Sequence, residues 1–150
     1  MELTVILTAA ATCALGGIFP WISAEAVLLG TALALPVGYL PALVLGCAGG
    51  QMVGKGVLYA LMRWAPDRLP ERARGVLRKV EGMARRREVL AGAVFSGASA
   101  GLPPFYVVTL AAGLARLPLL LFLVAGLLGS LVRYGTLMWG AGALGWGGAG

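Results

Sequence analysis

The chain contains no histidine and very little charge: Asp, Glu, Lys and Arg make up 12% of its 150 residues. A soluble domain carries about a quarter, so these side chains are too few to cover a water-facing surface. The missing histidine removes the commonest general base. The two cysteines, Cys13 and Cys47, sit in apolar runs without a CxxC pair, which argues against zinc and dithiol chemistry. No Ser-His-Asp set and no paired carboxylates occur, so neither an enzyme nor a cofactor or metal site is expected. The opening Met1-Glu2-Leu3-Thr4 lacks the basic start of a secretory signal, so the first apolar run is expected to remain in the mature chain. What is present is 59% hydrophobic, with 24 glycines. That composition describes an integral membrane protein.

The formal net charge of +6 is concentrated rather than spread. Nine of the twelve basic residues lie between Arg63 and Arg87, beside four of the six acids. A basic block between apolar stretches reads as a cytoplasmic loop, residues 63–88, of a cell (inner) membrane protein, not as a nucleic-acid surface. Within it Pro70 can open a helix, and Val76, Leu77, Val80, Met83 and Ala84 share one face. The spacing predicts a basic amphipathic helix over about 70–88. Arg85, Arg86 and Arg87 would then meet anionic inner-leaflet head groups; a solvated loop is the alternative.

Four apolar stretches remain. Residues 39–62 and 117–140 are each long enough for about 36 Å of helix against a hydrocarbon core of about 30 Å. The other two, about 3–36 and 89–116, are broken in the middle. Pro20 precedes Ser23, a candidate N-cap, and the piece that follows is too short to cross. Pro103 and Pro104, with Gly97 and Gly101, break the other. Short helices flanking such a break read as re-entrant hairpins. Leu33-Ala34-Leu35-Pro36 also matches Ala115-Arg116-Leu117-Pro118, 82 residues on. With the basic loop inside, the expected fold is all-α: two opposed hairpins, each followed by a transmembrane helix, in an inverted repeat whose broken elements meet near the midplane. Four kinked spans are the alternative.

Glu25 is the one acid inside an apolar block apart from Glu2 at the start. Ionised intramembrane groups are costly and function is their default reading. A place in the first turn after Ser23 also suits a carboxylate at a helix N-terminus. Lys55 and Arg133 are the intramembrane cations, each able to snorkel outward or to pair with Glu25. Arg116 stands at a span boundary as an inside-face anchor. Gly50 and Gly54, in a GxxxG run, and Gly126 and Gly129 in the last span, are expected to permit close helix contacts.

Three stretches resemble the DedA / VTT-domain (SNARE-associated Golgi protein) superfamily, in its small, charge-poor branch. They are Phe19-Pro20-Trp21-Ile22-Ser23-Ala24-Glu25, then Gly50-Gln51-Met52-Val53-Gly54 running on to Tyr59, then Pro103-Pro104-Phe105 through Gly113 to Arg116. The resemblance covers about residues 15–135 and implies a single membrane domain over 1–150. It implies lipid movement between leaflets, of phospholipid or a carrier lipid, with Glu25 as the acid of the first hairpin. Pro20, Ser23, Pro103, Pro104, Lys55, Arg133 and Arg116 complete the candidate transport site. The upstream acid and hairpin arginines of the bacterial type are missing, so the resemblance implies uncoupled scrambling rather than pumping. Membrane lipids are the expected partners, and a homo-oligomer fits two full spans. A small-solute or ion exporter and a non-transporting membrane-organising scaffold are the alternative functions.

Overall fold

The structure is a computed structural model and describes residues 1–68, 71, 74, 75, 78 and 85–145. Those residues form six α-helices and no strand: α1 (Glu2–Ile18), α2 (Ala24–Ala32), α3 (Leu40–Trp64), α4 (Arg87–Ala100), α5 (Phe105–Leu114) and α6 (Leu119–Ala143). Helix α3, with the preceding 3₁₀ turn Val37–Tyr39, and helix α6 are long and apolar enough to cross a membrane. Leu3, Leu7, Leu45, Leu61, Leu120 and Leu128 are all exposed. Apolar surface of this extent on such helices fits a lipid environment. The chain is a membrane protein.

Local chemistry sets the helix ends. Pro20 supplies no N–H and restricts Phe19, which leaves α1 in extended conformation at φ −101°, ψ 111°. Ser23 then caps α2, its Oγ accepting the Ala26 N–H at 3.2 Å. The second piece of the first hairpin is shorter than its apolar composition suggested. Helix α2 has nine residues, and the chain beyond it turns through Pro36, whose ring ends the helical run. Both spans begin and end slightly later than hydropathy alone placed them, because apolar residues continue to Trp64 and Ala143. Most of the expected amphipathic helix lies outside the described residues. Its end is corrected: Arg86 is extended, at φ −119° and ψ 115°, and Arg87 starts α4.

The chain forms two compact units. The first comprises Met1–Gly54 and the chain from Leu131 onward. Its core includes Ile6, Cys13, Ala24, Leu28, Leu43, Cys47 and Tyr134. Helices α1 and α3 meet where Gly46 faces Ile6, Gly50 faces the Ala10 carbonyl, and Gly54 faces Ala14 and Gly17. The two numberings rise together, so α1 and α3 run in the same direction. The chain between them must double back, and it does so through α2. A Cβ on Gly50 or Gly54 would strike a backbone carbonyl oxygen, of Ala10 or Ala14 respectively, so only glycine allows this approach.

The second unit comprises Lys55–Ser130. Helices α4 and α5 form its hairpin. Gly101 ends α4 in the left-handed region at φ 76°, which glycine adopts without strain. The Pro103 carbonyl folds back over Gly97, where a Cβ would lie 2.8 Å from it. The Tyr59 hydroxyl donates to the Leu117 carbonyl, its ring stacks on Phe122 at 4.9 Å, and Arg63 donates to the Tyr59 oxygen at 2.6 Å. These contacts hold the start of α6 against the end of α3. Arg116 sits exposed in the left-handed region at φ 54°, and the Leu117 N–H closes back to the Ala112 carbonyl at 3.0 Å. That is a Schellman-type helix end with arginine in the position glycine usually takes.

Candidate functional site

The site assembles in the first unit around the N-terminus of α2. Ser23 is extended at φ −80° and ψ 109°, which aims its hydroxyl at the first turn. It accepts the Ala26 N–H and donates to Glu25 Oε2 at 2.9 Å. The other carboxylate oxygen, Oε1, is 2.7 Å from a terminal guanidinium nitrogen of Arg133 on α6. Glu25 therefore lies in the first turn of α2, hydrogen-bonded to the Ser23 cap, and carries an ion pair at once. The partner left open between two cations is Arg133, so Arg133 does not simply snorkel.

Removing one member of such a pair strands the other charge in apolar surroundings, which costs more than the pair contributes. The side chains of Glu25 and Arg133 keep 26% and 35% of their exposure. The pair is thus joined but not sealed. Beneath it the Cys13 thiol points to the Ala24 carbonyl at 3.9 Å. Next to Arg133 on α6, Tyr134 is fully buried and its hydroxyl donates to Gln51 Oε1 at 2.8 Å. Tyr134 and Gln51 escaped the sequence reading. The available signal was a phenol and an amide in otherwise apolar spans, each needing a partner.

An apolar groove of about 390 Å³ begins a helical turn further along α2 and α6, lined by Leu29, Thr136, Leu137, Gly140, Ala141 and Leu144. Thr136 does not make it polar, because its hydroxyl donates back to the Val132 and Arg133 carbonyls at 2.9 and 2.8 Å. No run of sequence signals this groove, since its walls come from α2 and α6.

The remaining candidates lie elsewhere. Pro20 is in the exposed turn between α1 and α2, and Pro103 and Pro104 form the turn before α5. Lys55 belongs to the second unit and is only 4% exposed, with its ammonium 5.3 Å from the ring centres of Phe105 and Tyr106. Outward snorkelling is corrected there: the aromatic pair holds the cation inward. Gly129 lies against Phe95 and Ala98 of α4, and Gly126 is buried. Arg85, Arg86 and Arg87 are exposed.

Among the described residues no three of His, Cys, Asp and Glu are grouped to hold a metal ion. What the site offers is one carboxylate paired with one guanidinium and, a helical turn away, an apolar groove. Comparison with known proteins gives no match to a family model, a curated protein or a solved structure.

Proposed function

We propose that the chain moves membrane lipids between leaflets, as a scramblase of the DedA / VTT type. The observation that carries this reading is the half-open Glu25–Arg133 pair, with an apolar groove a helical turn away on the same two helices, in a protein with an apolar surface. A polar step beside an apolar track is what a lipid needs, because its head group must be solvated while its tails stay in hydrocarbon.

The hairpins support the same reading. Helix α1 is about 26 Å long and α4 about 21 Å, both short of a bilayer core. Helices α1 and α3 run in the same direction, as a re-entrant element followed by a span requires. Each hairpin closes over a glycine, Gly16 beneath Ile22 and Gly97 beneath Pro103, which accords with an inverted repeat of opposed hairpins. The basic segment 63–88 then faces the cytoplasm at the cell (inner) membrane, where Arg85, Arg86 and Arg87 meet anionic head groups.

The test is a scrambling assay in liposomes, with a fluorescent phospholipid reduced from outside. Wild type should expose fluorescence well beyond the outer-leaflet share, and Glu25→Gln should slow the exchange at least about tenfold, the order expected for losing one charge-assisted contact. A plateau at the outer-leaflet share for wild type sinks translocation and leaves a solute exporter or a membrane-organising scaffold. Unchanged exchange in Glu25→Gln demotes that residue to a helix cap.

A further inference from the structure

Where α3 ends and α6 begins, the second unit places two arginines beside one peptide group. Arg63 Nη1 donates to the Tyr59 hydroxyl at 2.6 Å and, at 3.4 Å, to the Leu117 carbonyl. Arg116 precedes Leu117 in the chain and is exposed. The Arg63 guanidinium is thus fixed through one nitrogen, with its carbon 5.9 Å from the centre of the Tyr59 ring. A guanidinium carries five N–H donors, and among the described residues Nη2 and Nε of Arg63 have no hydrogen-bond partner.

No carboxylate balances this charge. The ion pairs among the described residues join the N-terminus to Glu2 and Arg133 to Glu25. Asp67, the acid closest to Arg63 in sequence, is exposed and pairs with neither arginine. The backbone at Arg116 is an independent observation. It holds the left-handed conformation at φ 54°, at a helix end where glycine would be free of strain. Gly101 takes that conformation at the end of α4. An arginine held there against its backbone preference indicates a role for the side chain.

We propose that Arg63 and Arg116 together form a binding site for a phosphate group, at the membrane boundary where α3 ends and α6 begins. Two guanidinium forks without a carboxylate suit a phosphate that carries no ammonium beside it. Basic pockets between helices at such a boundary hold acidic lipid head groups. Leu119, Leu120 and Leu121, which open α6, are exposed, so a lipid held here has an apolar flank leading from the boundary toward the membrane interior. A soluble phosphate would use the same two side chains without that flank. The site belongs to the second unit and stands whether or not the chain translocates lipid.

Native mass spectrometry of the purified full chain in neutral detergent tests it, with phosphatidylglycerol and phosphatidylcholine of identical acyl chains supplied in equal amounts. Wild type should retain one phosphatidylglycerol with a preference of about tenfold, the order for one charge-assisted hydrogen bond. Arg116→Gly should abolish the preference and melt at the same temperature or higher, because glycine relieves the backbone. Arg63→Gln should also lose the preference. Arg68→Gln removes an equal charge from the neighbouring exposed turn, Pro66–Arg68, and should leave the preference unchanged. Radiolabelled inorganic phosphate, offered to the chain in phosphatidylcholine nanodiscs, separates the two sources. Saturable phosphate uptake that Arg116→Gly removes assigns the site to a soluble phosphate. A phosphatidylglycerol preference without such uptake assigns it to a lipid head group.

Equal retention of both lipids together with no phosphate uptake overturns the site. A preference that survives in Arg116→Gly, at an unchanged melting temperature, overturns the pairing of the two arginines. Equal losses in Arg116→Gly and Arg68→Gln would mean a diffuse positive surface and overturn it as well.

Discussion

Glu25 shows how much one side chain can combine. Its first-turn position gives it the helix dipole, Ser23 satisfies one oxygen and Arg133 the other. In apolar surroundings that completeness matters more than the strength of any single contact. Glu25→Gln and Arg133→Gln should each destabilise the protein, and the double variant should be less affected than the sum of the two. For a pair this exposed the coupling should be roughly 1 kcal/mol. Thermal unfolding in detergent, run as a double-mutant cycle, measures it. Additive losses would mean that the pair contributes nothing as a pair.

At the scale of elements, glycine placement decides how helices meet. Gly49 and Gly50 are neighbours in α3 with opposite environments: a Cβ on Gly49 meets nothing within 4 Å, whereas one on Gly50 collides with the Ala10 carbonyl. Gly49→Ala should be neutral or stabilising by up to about 1 kcal/mol through helix propensity. Gly50→Ala should cost at least about 2 kcal/mol, as overpacking against backbone does. Melting temperatures of the two variants settle the contrast. The comparison isolates the α1–α3 contact, because both changes add the same methyl to the same helix.

At the scale of the whole molecule, the issue is which ends share a membrane face. A re-entrant first hairpin puts Glu2 and Tyr39 on one side, with Arg86 on the other. A kinked full span over residues 3–36 would put Glu2 and Tyr39 on opposite sides. Single cysteines at those three positions, in a background with Cys13 and Cys47 replaced by alanine, can be labelled in sealed cells with a membrane-impermeant maleimide. The expected outcome is labelling at positions 2 and 39 and protection at 86. Labelling at 39 with protection at 2 would exclude the hairpin.

The sequence by itself determined what local chemistry controls. Charge scarcity and the two long apolar runs set the membrane class. Pro20 with Ser23, and Gly101 with Pro103 and Pro104, interrupted the shorter runs because a missing N–H, a capping hydroxyl and a left-handed glycine act within a few residues. The tertiary structure decided everything that depends on residues distant in the chain. Composition left Glu25 open to two cations, and packing of α6 beside α2 selected Arg133. Lys55 went instead to an aromatic pair on α5, and Tyr134 to Gln51. The groove has no sequence signature because its walls lie on two helices, and only their packing side by side creates the space between them.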